Sequence, residues 1–218
     1  SVYLRFYTAT YSTKYGYVND ESAWISDAKI DLKLNNNSDY SVVKFTAAQD
    51  GSDYLKSIKK MFSNDVYTYY FENNSNTSLQ NQELTAQAMK ALIENNHEID
   101  INKSIETLLK RIGNINLIDT ETDAYFSKLL DYGEYTVRYT FNAYKNGTLS
   151  EPQGKILQYA FLKIAGDEYI KTYADTGKEY FDEFDKHAKS IAEKNKIYDK
   201  FKAEYPYTYI YITEYMKQ

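Results

Sequence analysis

Cysteine is absent from this chain of 218 residues, and histidine, proline, arginine and tryptophan are scarce. Without a thiol there are no disulfides, no zinc ribbon, no iron–sulfur cluster and no cysteine nucleophile. His97 and His187 are the only imidazoles, too few for a histidine-rich metal centre. Arg5, Arg111 and Arg138 are the only arginines, and no run of Lys or Arg forms a basic patch. The 26 Lys and Arg stand against 31 Asp and Glu, a net charge of −5. That balance argues against a general nucleic-acid binder, which needs clustered cations to neutralise phosphates. Polybasic attraction to a membrane is equally unsupported. The eight glycines are scattered singly, so no Gly-rich phosphate loop and no Gly-x-Ser-x-Gly elbow exists. Apolar runs fall far short of the roughly 20 residues a helix needs to cross a bilayer. No cofactor and no transmembrane segment are expected.

The missing cysteines also bear on compartment. At an ordinary frequency of roughly 1–2%, about three would be expected. Their absence, with Ser1 rather than Met at the start, fits an exported protein trimmed from a precursor, or the ectodomain of a bacterial lipoprotein. An extracellular or cell-surface location is the expectation.

What is present is ordinary globular material, 43% hydrophobic and 26% charged. The length suits one domain over 1–218, with a joint at the polar run Asn73 to Ser78 that would separate a β-rich 1–72 from a helix-rich 78–218. Residues 2–11 alternate as a strand, with Val2, Leu4 and Phe6 opposite Tyr3, Arg5, Tyr7 and Tyr11. Residues 27–34 give the cleanest alternation, with Ala28, Ile30, Leu32 and Leu34 expected to face the core and the charged face expected to meet solvent. Tyr40 to Thr46 completes a hairpin after the Asn-rich loop. Residues 66–72, 134–144 and 207–215, β-branched and aromatic, also read as strands.

Helices are expected from about Ser52 to Phe62, from 77 or 78 to about 95, from a cap at Asn102 to a stop at Gly113, over 120–131, from Pro152 to Gly166, and from near Asp167 to 204 with an interruption at Thr176-Gly177. The fold class is therefore α+β: a mostly antiparallel sheet of five or six strands with helices packed on it, the first and last strands adjacent.

Candidate chemistry is thin. His97 precedes a glutamate, but no second imidazole follows one helical turn on, so a His-Glu-x-x-His site is absent. His187 borders an apolar helical stripe. Asp119, Glu121 and Asp123 alternate like the opening of a calcium loop, yet Ala124 and Leu130 stand where Gly and Glu are needed. The acids suit a helix N-terminus instead.

The 25 tyrosines are the one feature above background. If the terminal strands form, Tyr207, Tyr209 and Tyr211 share one face, and Tyr3 and Tyr7 repeat the design. Such rings make a ligand-binding platform for a glycan or a protein partner. The leading expectation is a non-catalytic cell-surface binding protein. The alternatives are a polysaccharide hydrolase built on a carboxylate pair, and a structural or accessory component of a phage or mobile element with an extensive symmetric interface.

Overall fold

The computed structural model describes residues 1–36, 39–69, 77–95, 99–120, 122–166, 174–194 and 199–216. Among them are three strands, β1 (Val2–Ser12), β2 (Asn19–Leu34) and β3 (Tyr40–Ala47), in the order β1-β2-β3. Ten α-helices follow: α1 (Tyr54–Met61), α2 (Asn64–Tyr67), α3 (Thr77–Asn95), α4 (Ile101–Ile112), α5 (Ala124–Asp131), α6 (Glu134–Lys145), α7 (Gln153–Ala165), α8 (Gly177–Lys194), α9 (Asp199–Glu204) and α10 (Pro206–Ile210). The fold is thus α+β but dominated by helix, and the five or six strands expected from the sequence are reduced to three.

Three stretches account for the difference. Residues 64–67 form α2, and 70–76 lie outside the described residues. Residues 134–144 belong to α6, not to a strand. Their alternation hides a second spacing, because Val137 and Phe141 are fully buried four residues apart. The hydroxyls of Thr136 and Thr140, also buried, donate to the carbonyls of Leu129 and Thr136, both at 2.8 Å. The Thr140 bond runs back one turn and the Thr136 bond reaches α5, and each lets a β-branched polar residue sit inside a helix without an orphaned donor. Arg138 reaches back to Glu134 at 2.7 Å across one turn.

The C-terminal segment repeats the lesson. Pro206 opens α10, where its missing N–H costs nothing. A π-turn at Tyr211–Tyr215 continues it. Thr208, Tyr211, Ile212 and Tyr215 are buried, an i, i+3, i+4, i+7 set that alternating tyrosines mask. The last stretch is therefore no strand, and it cannot pair with the first.

The chain divides into two compact units. One holds Ser1–Ser12 and Asp20–Ala91, the sheet with α1, α2 and most of α3. The other holds Thr13–Asn19 and Leu92–Gln218. The second is a helical body whose centre is aromatic. Phe141 stacks on Phe184 with centroids 5.6 Å apart, and meets Phe161 at 5.6 Å and Tyr211 at 4.8 Å edge-on. Tyr211 is buried completely, and its hydroxyl donates to Asp185 at 2.6 Å. Tyr132, also buried, accepts from the Val18 amide at 2.8 Å and so pins the β1–β2 connection into this body. Capping is local: Asp100 accepts from the Lys103 amide at 3.0 Å, taking the role expected of Asn102. Asp123 accepts from the Phe126 amide at 2.7 Å. Gly113, with φ of 71°, ends α4 as the sequence suggests.

Candidate interaction face

In the sheet unit, β2 and β3 pair antiparallel with Ile30 opposite Phe45, Leu32 opposite Val42 and Leu34 opposite Tyr40. A β-bulge between Asp31 and Leu32 leaves Val43 without a partner in this register. Cross-strand partners share a face, so these six side chains form one apolar surface. Phe6 joins it from β1, its ring 6.4 Å from that of Phe45 across the intervening strand. By alternation Val2 and Leu4 lie there too. No charged side chain alternates onto this surface over 2–6, 28–34 or 40–47.

The opposite face carries Arg5, Asp27, Lys29, Asp31 and Lys44, and it is this polar face that α1 covers. Arg5 grips Asp27 with two hydrogen bonds, of 3.0 and 3.3 Å, and both side chains are largely buried. Tyr54, at the first turn of α1, donates its hydroxyl to the same carboxylate. Burial, then the bond to Asp27, pushes the Tyr54 phenol up to about 12. Burial also works against the Arg5 charge, but Asp27 outweighs it and the guanidinium pKa is raised. Tyr3 meets Phe62 edge-on at 4.8 Å on the same side. A bidentate ion pair with a third hydrogen bond is the arrangement in which charges can be taken from water.

The sequence expectation therefore holds only in part: Ala28 is buried and Lys33 and Lys44 are exposed, but Leu34 is exposed too, and Arg5 and Asp27 are largely buried on the charged side. The charged side is the one a helix packs against, and the aliphatic side is bare beyond Ala28. Tyr40, Val42 and Phe45 are exposed to 68%, 64% and 55% of their full extent, and Leu34 to 57%. Ile30 and Leu32 are half-buried. Single exposed apolar residues need no explanation, but a contiguous uncharged patch marks an interaction surface.

Of the five tyrosines expected to bind a ligand, two lie on the strand expected of them and three do not. Tyr3 and Tyr7 are half-buried on the β1 face that also carries Arg5. Tyr207 and Tyr209 are half-buried on α10, and Tyr211 is buried, so no strand carries these three rings. His97 falls outside the described residues, and His187 is exposed on α8. Among the described residues no group of three His, Cys, Asp or Glu side chains is gathered to hold a metal ion. None of their helices is long and apolar enough to cross a membrane. The bare face was visible in the sequence as alternation; the signal that it is uncovered was not.

Comparison with protein-family models, with curated proteins and with solved structures finds no match to this chain.

Proposed function

We propose that this is a non-catalytic interaction protein whose bare sheet face docks against a second copy of the same chain. The observation that carries the reading is the uncharged surface of Tyr40, Val42, Phe45 and Leu34, left largely open to water on the side of the sheet away from α1. A face without charge is complementary to itself, because a twofold contact buries no unpaired ion. Two such sheets pack face to face at about 10 Å with their side chains interleaved.

The magnitudes fit. Full burial of a Val, Leu or Phe side chain is worth about 1.5–3 kcal/mol. Four to six such residues per copy offset an association cost of roughly 4–15 kcal/mol. Side chains of this size, more than half exposed, each present on the order of 100 Å². With their half-buried neighbours they approach the ~800 Å² per partner of a stable interface.

The non-catalytic reading is favoured by where the strongly shifted groups sit. Tyr54 is bound to Asp27, Tyr144 to Asp182 and Tyr211 to Asp185, Arg138 is paired with Glu134 and Glu214, and Asp131 is largely buried beside Lys128, all as parts of packed structure. The cell-surface setting belongs to the same proposal and rests on the cysteine-free composition alone.

The absence of native cysteine makes the test simple. Single cysteines at Val42 or Phe45, joined by a short bifunctional maleimide, should give a covalent dimer in high yield. Lys33→Cys, on the other face of β2, should not. Equal yields from the two faces, or none from either, would sink the reading.

A further inference from the structure

A cleft of about 460 Å³ opens on the polar side of the sheet unit, independent of the bare face. Its floor is β2 and β3, where Lys29 lies opposite Thr46 and Asp31 opposite Lys44. Its wall is α1 and the turn before it, which bring Asp53, Lys56 and Lys60. The rim is tied in place by Ser57, whose hydroxyl accepts from the Gln49 amide at 2.9 Å and donates to the Tyr54 carbonyl at 2.7 Å. Four ammonium groups thus surround the space against two carboxylates, in a chain whose overall charge is −5.

The two carboxylates are already engaged. Asp31 accepts from the Ser1 hydroxyl at 2.5 Å and pairs with Lys29 at 3.1 Å, and these contacts hold its pKa below the usual range. Asp53 pairs with Lys56 at 3.4 Å. Lys44 and Lys60 have no carboxylate partner among the described residues. Their charges are the uncompensated pair, one from the floor and one from the wall.

We infer that this cleft binds a compact phosphate-bearing ligand with at least two negative charges. Lysine is a flexible point charge that suits phosphate oxygens without demanding the forked geometry of arginine. Thr46 and Gln49 add neutral hydrogen-bonding groups at the same wall and floor. No aromatic ring lines the space, so stacking on a base or sugar has no platform here. The volume lies in the range of small-ligand sites and exceeds a single phosphate, which points to a diphosphate group or a phosphorylated small molecule.

The probe is inorganic pyrophosphate, titrated calorimetrically into the full chain at low ionic strength. Saturable binding that weakens as salt rises is expected. Lys44→Gln with Lys60→Gln should lower the affinity at least tenfold, and Asp53→Asn should raise it a few-fold. Lys33→Gln, a lysine of β2 outside the cleft, should leave it unchanged. All four side chains are exposed, and circular dichroism checks that each variant folds. A parallel arm uses vesicles with anionic phospholipid. Binding to vesicles alone, lost in the double variant, assigns the phosphate to a headgroup and supports the site. Absence of any binding in both arms, or binding that Lys33→Gln weakens as much as the double variant, overturns the proposal.

Discussion

Phe141 has the most to lose from a single substitution. It is fully buried, and its ring touches those of Phe161, Phe184, Tyr211 and Tyr215. Phe141→Ala should cost about 3–5 kcal/mol, the transfer loss plus the cavity left behind, read from chemical denaturation. Asp131 offers a different test. Burial raises its carboxyl to about 6, with Lys128 at 3.7 Å only partly opposing. The folded protein therefore holds a proton that the unfolded chain releases near pH 4, and stability declines as pH climbs from about 4 to about 6. Asp131→Asn removes that penalty. Its stability relative to the parent should improve between pH 4 and pH 7.5 by on the order of 2 kcal/mol. A difference that is the same at both pH values would contradict this account of Asp131.

At the scale of elements, the caps make the clearest forecast. Asp100 and Asp123 each accept one of the orphan amides that open a helix. Replacing either with alanine should cost about 1 kcal/mol, measurable as a lowered midpoint in urea, and the two losses should add because the caps share no partner. Strands β1 and β3 and the second half of β2 were legible because each alternates and is bounded by turn residues, as at Asn35 to Asp39; residues 19–26 of β2, which lack that alternation of charged and aliphatic residues, were not. So were most helices, from stops such as Gly113. The strands read at 134–144 and 207–215 failed for one reason. Aromatic and β-branched residues recur at both spacings there, and local propensity favoured the wrong one. Tertiary packing around Phe141 and Tyr211 selects the helical set, and that packing is not a local property.

The same limit applies to the candidate face. Alternation along Asp27 to Leu34 separates a charged side from an aliphatic one, but it does not say which side a helix covers. The usual assumption buries the aliphatic side. Here the Arg5–Asp27–Tyr54 cluster satisfies the charges beneath α1, so the helix covers the Arg5–Asp27 end of the polar side. That cluster could be found only in three dimensions, since its members come from β1, β2 and α1. Among the tyrosines, the platform reading assigned to the terminal strands does not survive at Tyr211, which closes the helical core instead.

For the whole molecule, a second copy of the chain is proposed to cover the uncharged face of the sheet unit. Substituting Phe45 with lysine places a charge in the middle of that face while leaving the ion pair beneath α1 intact. Sedimentation equilibrium over a wide range of concentration is the direct test. The parent chain should approach twice its 25.5 kDa mass with a Kd in the micromolar range or tighter. Phe45→Lys and Val42→Lys should remain at the single-chain mass, their folds confirmed by circular dichroism. A parent chain that stays monomeric at the highest concentrations, or lysine variants that dimerise as well as the parent, would contradict the claim.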